Sequence, residues 1–282
     1  MAIGGVLTAM VTPFDEDGRL AEDASARLIH HLVENGSDGL VLAGTTGEAA
    51  TLSDAEKRRL WELGVAEAGT ATVVAGTGSN DTAHSVELTA RATEIGVDAV
   101  LVVAPYYNKP NRRGIVEHFR AVAAATDLPV ILYNIPSRCV IDLSNDLLRE
   151  LAEIPNVQAV KQARYEELEP IEGLDLLAGN DDALARTLDV GGTGGILVAS
   201  HVVGPEMRRM IDEPDARAVI HEALQPIFRA MTVTVNPIPV KTALRMLGHQ
   251  VGGFRLPMVR ASSEEEAEIR EALERHGLLS RV

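Results

Sequence analysis

One cysteine, Cys139, stands in 282 residues. A single thiol excludes an intrachain disulfide and any cysteine-built zinc cage, and it is the usage expected of a cytoplasmic protein. Positive charge is also short: 26 Lys and Arg face 41 Asp and Glu, a formal net charge of −15. No basic stripe remains to track phosphates, which excludes nucleic acid and anionic membrane surfaces as partners. Small anions are not excluded, because screening confines the net charge to about 8 Å at physiological salt and a pocket with its own arginine or amides still holds a carboxylate. No apolar run reaches the roughly 18 residues of a membrane span. The apolar opening MAIGGVLTAMVTPF lacks a cationic flank and runs into Asp15, Glu16 and Asp17, so it reads as a first strand rather than a leader peptide. The eight histidines show no HExxH or similar spacing, and His30 and His31 lie in a helical segment where neighbours diverge. Neither a catalytic metal nor a cofactor is expected.

Lysine is the scarcest cation. Lys57, Lys109, Lys161 and Lys241 stand against 22 arginines. A chain that supplies most of its cations as arginine keeps lysine where an amine is needed, because a guanidinium can neither lose its proton nor form an imine. Lys161 closes the apolar run VQAV, residues 157–160. The simpler alternative is a strand-end lysine that snorkels its ammonium into water.

What is abundant is apolar sequence, 46% of the chain, in short β-branched runs. These are VLTAMVTPF from 6, GLVLAG from 39, TVVAG from 72, AVLVVAP from 99, PVILYNIP from 129, VQAVKQA from 157, DLLAGND from 175 and GGILVASHV around 195. Segments of helical periodicity, rich in Ala, Glu and Arg, fill 20–35, 53–69, 81–95, 112–125 and 144–154. Continuous rather than alternating hydrophobicity marks parallel strands covered by helices, and the repeated strand–helix unit predicts a (β/α)8 TIM barrel. A doubly wound sheet fits less well, since no glycine-rich nucleotide fingerprint follows the first strand. GGTGG, residues 191–195, precedes a strand rather than a helix and reads as a tight entry turn. The expected organisation is a catalytic barrel over 1–225 and a C-terminal helical region over 226–282, interrupted by NPIPVK at 236–241.

In such a barrel the chemistry gathers where the strands end. After the second run come Thr45, Thr46, Gly47 and Glu48; after the fourth, Tyr106 and Tyr107; on and after the fifth, Tyr133 and Arg138; at the end of the sixth, Lys161. Three of the chain's four tyrosines fall at this rim. Singly, each has a structural reading: a helix cap for GTTGE, packing aromatics for the tyrosine pair, a solvated cation for Arg138. Together they make a candidate site.

GTTGE at 44–48, YNIPSR at 133–138, Lys161, GND at 179–181 and NPIPVK at 236–241 occur in the order found in a known family. Over nearly its whole length the chain resembles the dihydrodipicolinate synthase and N-acetylneuraminate lyase superfamily of Schiff-base barrels. Paired threonines with an arginine at position 138 are most similar to the dihydrodipicolinate synthase branch. The resemblance implies a lyase of lysine and diaminopimelate biosynthesis in which pyruvate forms an imine with Lys161 and the derived enamine attacks aspartate semialdehyde. It implies Tyr133 as proton shuttle, Thr45 and Tyr107 as its relay partners, Thr46 as the contact for the pyruvate carboxylate, and Arg138 for the carboxylate of the second substrate. Gly179 and Ile196 match positions lining the pyruvate end. Tyr107 would cross to a neighbouring copy, making a homodimer or homotetramer. Ala49, Ala50, Asp54, Lys57, Asn80, His84 and Tyr106 match the rim at which inhibited relatives bind lysine. His84 replaces a glutamate there and Lys57 a histidine, so weak or absent lysine inhibition is expected. QARYEE, from 162, also departs from the family pattern and bears on the second substrate. Another pyruvate-dependent aldolase, acting on N-acetylneuraminate or a 2-keto-3-deoxy sugar acid, and a catalytically silent acid-binding barrel stay open at this level.

Overall fold

The computed structural model describes residues 3–280. Where the sequence runs apolar without alternation the chain extends, giving β1 Gly5–Ala9, β2 Gly39–Leu42, β3 Thr72–Gly76, β4 Ala99–Val103, β5 Val130–Asn134, β6 Val157–Gln162, β7 Asp175–Ala178 and β8 Gly194–Leu197. All pair in parallel and in sequence order, and β8 returns to β1 to close the barrel. Both faces of these strands are covered, one by the barrel interior and one by helices, which is why alternation is absent.

The five expected helical segments fold as α1 Glu22–Glu34, α2 Asp54–Glu67, α3 Thr82–Ile95, α4 Arg112–Ala123 and, after a one-turn helix α5 at Pro136–Cys139, α6 Asn145–Ala152. Their starts are encoded locally. Ser53 and Glu56 form a reciprocal capping box on α2, and Asp81 caps α3 through the amide of Ala83. Between β6 and β7 the chain makes only a 3-10 turn at Tyr165–Glu167. The connection to β8 carries the short α7 Leu184–Asp189, and GGTGG follows it as a turn, with Gly191 at φ +97°. A Cβ on Gly194 would lie 2.1 Å from the carbonyl oxygen of Gly5, so glycine at this seam lets β8 approach β1.

After β8 come α8 Ser200–Asp212, which packs on β1 and α1, and then α9 Arg217–Ala230, α10 Ile238–Met246 and α11 Ser263–Arg275. Helix α9 spans residue 225 and packs on α8, while α11 packs on α9 and α10. The segment joining α9 to α10 passes over the C-terminal mouth of the barrel and walls its cavity.

Candidate active site

Strands β5 and β6 pair with Tyr133 directly opposite Lys161. Equal register in parallel neighbours sends both side chains to one face, so the amine lies over the phenol ring, 4.1 Å from its centroid. Lys161 is 6% exposed and Tyr133 5%. Burial lowers the Lys161 pKa from 10.5 to about 7; the Asp181 carboxylate opposes that fall and the Arg138 guanidinium adds to it. Burial likewise drives the Tyr133 phenol well above its ordinary value, against the pull of Arg138 and a hydrogen bond with Thr45. The snorkelling alternative for Lys161 fails, because its amine ends inside the barrel mouth.

Above this pair opens a cavity of about 480 Å³ whose lining includes Thr45, Thr46, Arg138, Gly179 and Asp181. Thr46 is buried, and its hydroxyl oxygen accepts a hydrogen bond from Asn236 Nδ2 at 2.9 Å. Arg138 reaches the cavity because Pro136 starts α5 straight after β5 and turns the chain across the mouth. Gly179 is required by packing: a Cβ there would lie 2.8 Å from the backbone nitrogen of Ala163. Ile196 is buried within β8, and Val198, two residues on, provides the lining at that side. Tyr107 is not brought to the cavity of its own chain; it stands 86% exposed at φ +72°. A larger cavity of about 820 Å³, between the β1–α1 loop and residues 245–260, contains none of these strand-end residues.

Three contributors escaped the sequence reading. Asp181 is half-buried, with Oδ1 accepting the amides of Val198 at 2.8 Å and Ala199 at 3.0 Å. Burial raises its pKa to about 6 against those two bonds, and the neighbouring Asp182 raises it further. The GND motif pointed at this residue but not at its task. Tyr165, the fourth tyrosine, also lines the cavity, and its hydroxyl donates to Asp182. Tyrosine scarcity was the available signal, since all four gather at one end of the barrel. The third contributor is Asn236, in NPIPVK.

The chain matches the model of the dihydrodipicolinate synthetase family over residues 2–276. A 4-hydroxy-tetrahydrodipicolinate synthase of Symbiobacterium thermophilum is 47% identical, with 98% of this chain and 99% of that protein covered. Another, from Moorella thermoacetica, is 45% identical over 99% of this chain and 100% of its own length. Among solved structures, dihydrodipicolinate synthase from Cyanidioschyzon merolae with lysine bound superposes with a TM-score of 0.95 at 41% identity, covering 98% of this chain and 99% of that one.

Proposed function

Since the chain belongs to the dihydrodipicolinate synthetase family, we propose that it is a cytoplasmic lyase that joins pyruvate to aspartate semialdehyde through a Schiff base on Lys161, giving 4-hydroxy-tetrahydrodipicolinate. The observation that carries this reading is a buried lysine with a pKa of about 7, facing a buried phenol on the floor of an open cavity. Such an amine is half neutral at pH 7, against about one part in 3,000 for an ordinary lysine. Only the neutral amine has the lone pair that attacks a carbonyl.

Lys161 Nζ adds to the keto carbon of pyruvate, and the carbinolamine loses water to leave the imine. Tyr133 donates the proton that lets the hydroxyl depart and passes on the proton then taken from the methyl carbon. A phenol this deeply buried is costly to ionise, so it must regain each proton quickly, and Thr45 is the hydroxyl at hand. Thr46 receives the pyruvate carboxylate. Because its oxygen already accepts from Asn236, its own proton is free to be donated. The enamine carbon attacks the aldehyde of the second substrate, whose carboxylate is held by the planar fork of Arg138. The amine of that substrate then displaces Lys161 from the former keto carbon, closing the ring and returning the enzyme amine. Gly179 borders the pyruvate end, with Val198 beside it in the place given to Ile196 by the resemblance.

The exposed Tyr107 belongs to the same relay across a contact with a second copy, so the minimal active unit is a homodimer, alone or within a homotetramer. The identity to relatives bearing the synthase name favours this reading over a sugar-acid lyase. Incubation with pyruvate followed by borohydride reduction and peptide mass mapping is the direct test. A reduced adduct on Lys161 is expected; none, or one on Lys241, refutes the mechanism.

A further inference from the structure

Glu48, which ends GTTGE, and Lys241, which ends NPIPVK, meet inside the molecule. Lys241 Nζ donates to Glu48 Oε1 at 2.6 Å and to the carbonyl of Gly253 at 2.7 Å. The second carboxylate oxygen, Oε2, accepts the amide of Arg255 at 3.2 Å. Neither charged side chain reaches solvent, and the rings of Phe14 and Phe254 flank the ammonium at 4.4 and 5.0 Å. An ion pair in such surroundings is a poor source of stability, because desolvating both charges offsets most of their attraction and an apolar pair of equal volume packs as well.

What the pair does provide is fixed geometry. Glu48 has φ +56° and Ala43 φ +54°, so the turn carrying Thr45 and Thr46 begins and ends in the left-handed region that side chains disfavour. A conformation of this kind persists only when its surroundings over-determine it. Here they do: Thr12 Oγ1 donates to the carbonyl of Gly47 at 2.6 Å, Asn236 holds Thr46, and Lys241 with Arg255 holds Glu48. Residues 236–255 thus grip the middle and the end of a turn that lies about 190 residues away in sequence.

We propose that Glu48 and Lys241 are positioning residues for substrate binding: their buried ion pair locks the 43–48 turn so that Thr46, oriented by Asn236, presents its hydroxyl to the carboxylate of the keto acid. The proposal rests on the assignment of Thr46 as the carboxylate contact. Lys241 acts through the turn and not as a second imine-forming amine. Its lone-pair position is closed off by two hydrogen bonds and two rings, although burial, opposed by Glu48, brings its pKa down to about 8.

The test is a mutant cycle in the full-length protein. The charge-free double variant Glu48→Gln/Lys241→Met avoids stranding one buried charge, and thermal unfolding reports its fold. Its KM for pyruvate is expected to rise about tenfold, the loss of a hydrogen bond to a charged group, with kcat changed less than about threefold. In a Thr46→Val background the same pair of substitutions should add little further, since both act on one contact. Where the double variant does not fold, Glu48→Asp keeps both charges, shortens the reach by one methylene and should give the same split. A folded variant with unchanged pyruvate KM, or a loss that adds fully to that of Thr46→Val, overturns the proposal. Thr46→Val with unchanged pyruvate KM instead overturns the carboxylate assignment, and the proposal with it.

Discussion

Replacing Lys161 with methionine should make the protein more stable while abolishing its chemistry. The side chain keeps much of its volume, and a thioether can still contact the Tyr133 ring. What disappears is a titrating amine whose pKa is about 7 when folded and 10.5 when the chain is unfolded. A lysine whose pKa falls on folding costs stability because the unfolded chain keeps a proton that the folded one resists. That cost is complete below the folded pKa and disappears as the pH rises to the unfolded value. Between these values the penalty amounts to about 4 kcal/mol at pH 7 and about 1 kcal/mol at pH 10. Lys161 is only 6% exposed, so solvent screening removes little of it. Urea denaturation of parent and Lys161→Met, at one protein concentration and at pH 7, 8, 9 and 10, measures the gap between them. The variant should be the more stable at pH 7, and the gap should narrow by about 3 kcal/mol by pH 10. Parallel pH dependences for the two proteins would refute a depressed Lys161 pKa and the account of how the amine becomes nucleophilic.

Arg138→Ala should lower condensation with aspartate semialdehyde by about one to two orders of magnitude, the cost of a two-pronged charge-assisted contact. Borohydride-trapped imine should survive in that variant, with its pH profile displaced to higher pH because a cation that depresses the Lys161 pKa is gone; unchanged condensation kinetics would remove Arg138 from the site. At the rim, Asp54 accepts His84 Nε2 at 3.0 Å and Lys57 Nζ at 3.4 Å, so its carboxylate is already engaged by two side chains that can carry positive charge. An arriving lysine ammonium would meet like charge worth up to about 4 kcal/mol at 4 Å and an effective dielectric of 20, and an activity titration should show little inhibition at submillimolar lysine. Gly204→Ala would place a Cβ 2.0 Å from the carbonyl oxygen of Asn35, beside the kink at Val203 in α8. Overpacking of that kind should cost about 3 kcal/mol or more in denaturant unfolding, and a wild-type midpoint would show that α1 and α8 separate freely.

Much of the barrel could be read directly because its information is local. Each strand is a short apolar run, and helices such as α2 and α3 announce their starts through Ser53, Glu56 and Asp81. Lys161 and Tyr133 could be singled out for the same reason: both lie at the ends of apolar runs, where a parallel barrel collects its polar groups. The 3-10 turn at Tyr165–Glu167 was harder, because a segment with helix-forming Glu residues is cut short by Pro170 and Gly173 before it can propagate. Glu48 could be read only as a turn or cap residue, since nothing near it in sequence reveals a partner 193 residues away.

The amino-acid pattern alone determined that eight apolar runs would pair as parallel strands, that Lys161 would share one rim with three of the four tyrosines, and that an amine there could form an imine. Strand propensity, helix caps and strand-end position are short-range properties carried by neighbouring residues. Only the tertiary structure decided that Tyr133 stands opposite Lys161, that burial brings the amine to a pKa of about 7, and that the C-terminal segment holds Thr46 and Glu48. Register, desolvation and long-range hydrogen bonds depend on what closure of the barrel places around each group, and that environment exists only once the whole chain has folded.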